Sequence, residues 1–180
     1  MRALVSVSGY NVQNISAAPT PAPPPQFERS LWYQYYLHSE RGHAGLDIYR
    51  REFARLLWQE WSPNWSFTDD EFTSTATSLD NPYFVEVVVH SYRHSYGLVA
   101  GDPTYQELGD TIDAQPQILV PTVVIESQSD PLILFAVPGA AHEWRIPALL
   151  DIRSVEACHN VPQKAPEAFA AAVLFAHQNT

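Results

Sequence analysis

The stretch Ala157-Cys-His-Asn-Val-Pro-Gln163 places a histidine in a loop before an apolar run at residues 165–177, which predicts a closing helix. Upstream, Thr122-Val-Val-Ile-Glu-Ser-Gln-Ser-Asp130 predicts a buried strand followed directly by an acid. Residues 152–155 predict one more strand between the acid and the histidine. The predicted order at the end of the chain is therefore strand, aspartate, strand, histidine and helix.

Asp130 and His159 are the predicted acid and base of a catalytic site. In a parallel sheet both side chains would project from the carboxyl edge of their strands, where open α/β sheets bind ligands. A general base needs an imidazole that a carboxylate holds in one tautomer, and this pair meets that requirement. Glu126 and Asp151 are rival acids. They are less well placed, because Glu126 lies within or just after the first strand and Asp151 just before the second.

The composition limits the partners that this protein can bind. The chain has 180 residues and is 46% hydrophobic, which suits one domain with a substantial core. Ten basic and 20 acidic residues give a formal charge of 10 − 20 = −10, which disfavours nucleic acid and anionic membranes. No run approaches the roughly 20 apolar residues of a membrane span, and the single cysteine excludes an internal disulfide. We therefore expect a cytoplasmic protein.

The pattern of the sequence changes twice along the chain. A short strand is predicted at residues 3–8, and a proline- and alanine-rich linker follows up to residue 25. Helical periodicity then dominates, with predicted helices at residues 26–39, 46–61, 69–79 and 82–96. The predicted organisation is a core strand with a linker over 1–25, an all-helical segment over 26–115, and a core segment with the acid and the histidine over 116–180.

The sequence resembles α/β-hydrolases of the epoxide hydrolase and haloalkane or haloacetate dehalogenase type, whose core closes in the same order of strand, acid, strand, histidine and helix. The resemblance covers essentially the whole chain, but only the C-terminal portion of the family's fold. It implies an α/β fold with a few parallel strands and an inserted helical cap at residues 26–115. The family's nucleophile elbow, Gly-x-Asp-x-Gly or Gly-x-Ser-x-Gly, does not occur in this sequence.

Two motifs in the helical segment narrow the resemblance to epoxide hydrolases. Trp32-Tyr-Gln-Tyr-Tyr36 is similar to the cap segment of that family that carries a Tyr-Gln pair, and Ser91-Tyr-Arg93 is similar to its second tyrosine. The resemblance implies that the hydroxyls of Tyr33 and Tyr92 grip the epoxide oxygen and donate a proton as the ring opens. Dehalogenases carry His-Trp where this chain has Tyr33 and Gln34, which favours the epoxide hypothesis.

The expected function is therefore epoxide opening through an ester intermediate. The substrate should be small to medium and apolar, and we expect no cofactor. The residues predicted to bind the substrate are Trp32, Gln34, Tyr35 and Tyr36. The alternatives are a haloacid or haloalkane dehalogenase, an esterase relative with a serine nucleophile, and a non-catalytic truncated or binding module.

The missing nucleophile leads to two further expectations. The isolated chain should show no epoxide hydrolysis, because acid and base act only together with a nucleophile. The strand at residues 3–8 would leave an open sheet edge, which favours association with a partner or with another copy of the chain.

Two other patterns receive structural interpretations. Glu86, His90 and His94 share one helix face, but serine follows the first histidine where a zinc-protease motif has glutamate. A solvated polar face is therefore favoured over a metal site. Cys158 is adjacent to His159 and would not form a dyad with it, which favours a packed role for the thiol. It also stands where the family usually has glycine before the histidine.

Overall fold

The structure is a computed structural model that describes residues 1–17, 22–132 and 142–180. Part of the predicted proline-rich linker lies outside these described residues. The strands are β1 (Leu4–Val7), β2 (Thr122–Ser127) and β3 (Leu149–Val155). The helices are α1 (Pro25–Ser30), α2 (Trp32–Leu37), α3 (Glu40–Ile48), α4 (Arg50–Trp61), α5 (Asp69–Ala76), α6 (Phe84–Ser95), α7 (Gln106–Asp113), α8 (His142–Arg145), α9 (Val161–Lys164) and α10 (Pro166–Gln178). Short 3₁₀ turns cover Thr77–Asp80 and Pro103–Tyr105.

The chain divides into two compact units. The sheet unit consists of residues 1–13, 61–65 and 111–180, and the helical unit consists of residues 14–60 and 66–110. Residues 61–65 belong to the sheet unit although they interrupt the helical part of the sequence. The sheet unit therefore contains three separate pieces of the chain.

The sheet unit is built on three parallel strands in the order β1-β2-β3. Leu4 is paired with Thr122, and Ile125 is paired with Arg153. The central strand β2 is apolar and almost continuously buried, as expected for a strand that is covered on both faces. This small parallel sheet with many helices confirms the predicted fold class, a partial α/β-hydrolase fold with a helical cap.

The core of the sheet unit lies between β2 and α10. Val123 and Ile125 are fully buried and pack with Ala172 and Ala176. The small alanine side chains let α10 approach the sheet closely, and Phe169 and Phe175 fill the space around them. Burial of these apolar side chains is the main source of stability in this unit.

The helical unit has a separate core. Leu37, Leu46, Val85 and Val89 form its buried cluster, and partly buried aromatic side chains such as Phe53 pack against it. The α5 helix starts at Asp69, the first residue of the helix predicted at 69–79, and a reciprocal capping box of Thr68 and Glu71 fixes this start. The α5 helix therefore begins where the sequence indicated.

The predicted helix bounds were wrong in the first half of the helical unit. The helix expected at residues 26–39 is divided into α1 and α2, because Leu31 has non-helical backbone angles. The helix expected at residues 46–61 is likewise two helices, α3 and α4. The α3 helix begins earlier than expected, because the Ser39 side chain caps it by accepting a hydrogen bond from the Gly42 N–H. The backbone therefore leaves the helical conformation at Leu31 and at Tyr49, although the apolar periodicity continues through both breaks.

No helix in the described ranges is long and apolar enough to cross a membrane.

Replacement of Ile125 by alanine should destabilise the sheet unit. We expect Ile125→Ala to lower the free energy of unfolding by about 2–5 kcal/mol, because it removes buried methyl groups and leaves a cavity. Chemical denaturation followed by circular dichroism would measure this loss. Leu119→Ala is the control, since Leu119 is 72% exposed just before β2 and should change stability by less than about 0.5 kcal/mol. Equal losses in the two variants would contradict the core position of Ile125.

Candidate functional site

Asp130 and His159 form a hydrogen-bonded acid–base pair in the sheet unit. Asp130 follows β2 and His159 follows β3, and Oδ2 of Asp130 lies 2.9 Å from Nδ1 of His159. The Asp130 side chain is 0% exposed and the His159 side chain is 36% exposed. Because a carboxylate only accepts hydrogen bonds, Nδ1 carries the proton and Nε2 keeps the lone pair that a general base uses.

The second oxygen of Asp130 is also fixed. Its Oδ1 accepts a hydrogen bond of 2.8 Å from the backbone N–H of Leu132. This bond replaces part of the hydration that the buried carboxylate has lost, and buried charges need such partners. The carboxylate is therefore held at both oxygens, which fixes the orientation of the imidazole that it contacts.

Hydrogen bonds to backbone carbonyls join the loops that carry the acid and the base. The hydroxyl of Ser127 donates to the carbonyls of Ala157 and Cys158, the latter over 2.8 Å. The N–H of Ser129 donates to the carbonyl of Ala157 over 3.0 Å. Cys158 itself is fully buried, which fits a packed thiol better than a reactive one. The loops are thus connected by the residues that flank the two functional side chains.

The rival acids have other partners. Glu126 lies on β2, with its Oε1 atom 3.3 Å from Nε2 of His142. Asp151 lies on β3 and accepts a hydrogen bond of 2.9 Å from Nε of Arg153. Asp130 is therefore the carboxylate that the structure places against His159.

Trp61 and Ser62 contact the histidine loop, and sequence analysis did not identify either of them as functional. The Trp61 ring lies 5.2 Å from the His159 ring in an edge-to-face arrangement, and the Trp61 carbonyl accepts a hydrogen bond of 3.2 Å from the His159 N–H. The buried Ser62 hydroxyl accepts a bond of 3.5 Å from the N–H of Asn160. In the sequence these residues appeared only as the end of a helix, which carries no signal of a distant contact.

Tyr33 and Tyr92 meet inside the helical unit. Tyr33 on α2 is 4% exposed, and its ring centroid lies 5.6 Å from that of Tyr92 on α6. Their hydroxyls are hydrogen-bonded to each other. Burial raises the pKa of both phenols above the ordinary value. Both side chains are therefore neutral at physiological pH and keep a proton to donate.

A second layer of polar contacts surrounds this tyrosine pair. The amide nitrogen of Gln34 donates a hydrogen bond of 2.8 Å to the Tyr33 hydroxyl. The hydroxyl of Tyr96 donates a bond of 2.7 Å to the amide oxygen of Gln34. Sequence analysis proposed Gln34 as a substrate-binding residue and did not identify Tyr96. The i, i+4 spacing of Tyr92 and Tyr96 in the sequence was a signal that could have identified it.

The other three residues predicted to bind substrate make contacts within the helical unit. Trp32 donates a bond of 2.9 Å from Nε1 to Glu60, and the hydroxyl of Tyr35 donates to Glu28. The ring of Tyr36 stacks on the ring of Phe53 with centroids 6.2 Å apart. Tyr35 is 43% exposed. A role of these side chains in binding substrate remains a prediction.

The histidines considered for metal binding have other neighbours. Glu86 pairs with His43 at 2.7 Å, and the rings of His90 and His94 stack with centroids 5.9 Å apart. Within residues 1–17, 22–132 and 142–180, no group of three or more His, Cys, Asp or Glu side chains is arranged to hold a metal ion.

Comparison with solved structures finds proteins of similar fold, one of which also has a similar sequence. A proposed epoxide hydrolase from Klebsiella pneumoniae is 35% identical with a TM-score of 0.90, and the match covers 98% of this chain and 58% of that one. A proposed α/β hydrolase from Nostoc is 14% identical with a TM-score of 0.75 over 99% of this chain and 58% of that one. A proposed acyltransferase from Salmonella enterica is 13% identical with a TM-score of 0.73, over 98% and 56%.

These matches differ in what they support. The Nostoc and Salmonella proteins share the fold alone, whereas the Klebsiella protein also shares 35% of the residues. The chain spans 58% of the length of the Klebsiella protein, less than two thirds. No protein-family model and no curated protein matches the sequence.

Alkaline pH should destabilise the helical unit through the buried tyrosines. Burial raises the pKa of Tyr33 and Tyr92 in the folded state above the ordinary value of 10.0 for a tyrosine. Between the unfolded and the folded pKa, the folded protein holds protons that the unfolded chain has lost. The stabilisation is therefore complete below the unfolded pKa and is lost as pH rises through the folded pKa.

Denaturation curves recorded across a series of alkaline pH values would measure this loss. Tyr92→Phe should make the decline in stability with pH less steep, because one of the two shifted groups is gone. Tyr83→Phe is the matched control, since Tyr83 is 71% exposed. The same pH dependence in the parent and in Tyr92→Phe would refute the assignment.

Proposed function

We propose that this chain, a member of the α/β-hydrolase superfamily, supplies the acid, the base and the oxygen-binding tyrosines of an epoxide hydrolase. The observation that carries the proposal is the hydrogen bond between buried Asp130 and His159. It is the arrangement that a water-activating histidine needs, with one nitrogen fixed and the other basic. The 35% identity to the proposed Klebsiella epoxide hydrolase supports the same reaction class.

The first step of the proposed reaction opens the ring. A carboxylate nucleophile attacks one epoxide carbon, a C–O ester bond forms, and the ring C–O bond breaks. The oxygen that leaves the carbon gains negative charge, and Tyr33 and Tyr92 donate hydrogen bonds and one proton to it. Neutral phenols are suited to this step, because they still hold the proton when the charge develops.

The second step hydrolyses the ester. The Nε2 atom of His159 takes a proton from water, and the resulting hydroxide adds to the ester carbonyl. The acyl C–O bond then breaks, and the departing alkoxide takes the proton of the added hydroxyl, so that the diol leaves and the nucleophile is a free carboxylate again. Asp130 stabilises the imidazolium that forms during this step, without becoming protonated itself.

The nucleophile of this proposal lies on a different polypeptide segment. The 180 residues contain neither Gly-x-Asp-x-Gly nor Gly-x-Ser-x-Gly. In the described part of the chain β1 pairs only with β2, so its second edge can accept another strand. We place the segment that carries the nucleophile at this edge of β1, where main-chain hydrogen bonds would hold it.

The substrate of this proposal is a small to medium, apolar epoxide. Aromatic side chains surround Tyr33 in the helical unit, including Trp32 at 6.4 Å between ring centroids. Such surfaces bind apolar groups, while a few polar atoms set the orientation. Tyr33 and Tyr92 would supply those polar atoms.

A serine nucleophile with the same acid and base would instead hydrolyse esters. The two possibilities differ in what they require of the helical unit, since an ester needs no proton donor at an epoxide oxygen. The paired, neutral phenols of Tyr33 and Tyr92 therefore favour the epoxide. The presence of Gln34 beside Tyr33 in place of the dehalogenase His-Trp pair argues against halide binding.

A fusion protein would test the proposal. The part of the Klebsiella relative that precedes the matched region would be joined to the full 180-residue chain, and hydrolysis of styrene oxide would be assayed. We expect diol formation by the fusion and none by the chain alone. His159→Gln in the fusion should reduce turnover by at least about 10²-fold, because general-base catalysis contributes 10²–10⁴-fold.

Mass spectrometry of the same variant would identify the step that is lost. Because His159 acts only on the ester, His159→Gln should accumulate a protein whose mass has increased by one substrate molecule. Asn64→Gln is the control, since the Asn64 contact to Lys164 uses only its backbone carbonyl. Diol formation by the chain alone, or a fusion whose turnover survives His159→Gln, would refute the proposal.

A further inference from the structure

A continuous set of hydrogen bonds leads from Tyr96 to Tyr33. The Tyr96 hydroxyl donates a hydrogen bond of 2.7 Å to the amide oxygen of Gln34. The amide nitrogen of Gln34 in turn donates a hydrogen bond of 2.8 Å to the Tyr33 hydroxyl. A primary amide has one accepting end and one donating end. Because Tyr96 donates to the oxygen end of the amide, the nitrogen end is the one that faces Tyr33.

The position of Tyr96 is fixed by its neighbours in the helical unit. Its ring packs against those of Tyr35 and His38, with centroid distances of 5.7 and 4.6 Å. Its backbone N–H bonds to the Tyr92 carbonyl over 3.3 Å, and Gly97 follows with a φ of +69° that ends α6. The hydroxyl that orients Gln34 is therefore attached to a side chain with little freedom.

We propose that Gln34 and Tyr96 are positioning residues that make Tyr33, and not Tyr92, the tyrosine that transfers its proton to the epoxide oxygen. This inference rests on the proposed function. An amide N–H aimed at the Tyr33 oxygen becomes stronger when that oxygen turns into a phenolate, because hydrogen bonds to charged acceptors are about twice as strong as neutral ones. Tyr96 keeps the donating end of the amide directed at Tyr33.

The two tyrosines are not equivalent in their surroundings. Burial raises the pKa of Tyr33, whereas the hydrogen bonds from Gln34 and Tyr92 lower it. For Tyr92, burial and the proximity of Tyr33 both raise the pKa. This difference between the causes of the two pKa shifts agrees with the geometry. Tyr33 is the better proton donor, because its anion accepts more hydrogen bonds than the anion of Tyr92.

The proton balance of the proposed step is closed. The O–H bond of Tyr33 breaks, an O–H bond forms on the former epoxide oxygen, and Tyr33 is left as a phenolate. The Gln34 N–H stabilises that phenolate, while the Tyr92 hydroxyl donates to the former epoxide oxygen. The imidazolium that forms when His159 takes a proton from water balances the negative charge of the phenolate. Proton exchange with solvent then restores the neutral phenol and the neutral imidazole.

The first experiment measures the acidity of Tyr33 in the full chain, without any turnover. Fluorotyrosine would be incorporated at position 33, since fluorination lowers the pKa of a phenol, and fluorine NMR would follow its titration. We expect Gln34→Met, which has a similar size but no donor, to raise the pKa of this phenol. Tyr96→Phe should raise it by a smaller amount, because the amide remains but loses its orientation.

The control for this titration is Tyr83→Phe, which also removes one tyrosine hydroxyl but from an exposed position. It should leave the titration of position 33 unchanged. A role limited to holding α2 against α6 would lower stability in the Gln34 and Tyr96 variants without moving this titration. An unchanged pKa in a folded Gln34→Met protein would therefore overturn the inference.

The second experiment separates the two chemical steps in the fusion protein described above. We expect Gln34→Met to slow formation of the ester about tenfold, the effect of one lost hydrogen bond of roughly 1.4 kcal/mol. Tyr96→Phe should slow it less, and hydrolysis of the ester should be unchanged in both. An active fusion whose ring-opening rate is unaffected by Gln34→Met would overturn this inference alone. If Gln34→Met shifts the titration of position 33 but the fusion forms no diol, the hydrogen bond from Gln34 to Tyr33 would be supported and the epoxide proposal overturned.

Discussion

The parallel pairing of β2 with β3 is the constraint on which the acid–base pair depends. Asp130 and His159 are 29 residues apart in sequence, and each follows the carboxyl end of its own strand. In a parallel sheet both ends lie at one edge, so strand pairing alone brings the two loops together. Ser127 then adds a side-chain bond from the last residue of β2 to the loop of His159. A slip of one residue in this register would point Ser127 to the opposite face and break that link.

Burial has different consequences for the two pairs of functional groups. Asp130 is a fully buried carboxylate, and it is tolerated because His159 and the Leu132 N–H both bond to it. Tyr33 and Tyr92 are neutral, so burial costs them less and instead secures their protons. The sheet unit thus stabilises a charge and the helical unit stabilises uncharged donors.

The sequence was sufficient for the sheet and for the acid–base pair, because those features are local or follow from strand order. The continuous apolar run of β2 indicated a buried strand, and an acid and a histidine after successive strands must lie near one edge. The sequence was insufficient for the breaks at Leu31 and Tyr49, where the backbone leaves the helical conformation although the apolar periodicity continues. It was also insufficient for Trp61, since a contact with His159 across 98 residues leaves no local pattern.

In the proposed reaction, the hydrogen bonds around Tyr33 explain why two identical side chains would not perform the same step. Tyr33 and Tyr92 lie in one cluster and share one bond, so burial alone would not tell them apart. The difference comes from Gln34, whose amide donates to Tyr33, and from Tyr96, which holds the other end of that amide. A transferred proton leaves a phenolate, and the phenolate is less costly where an N–H already points at the oxygen. In this proposal the difference in acidity between the two tyrosines therefore comes from a residue that carries no charge and that need not contact the substrate.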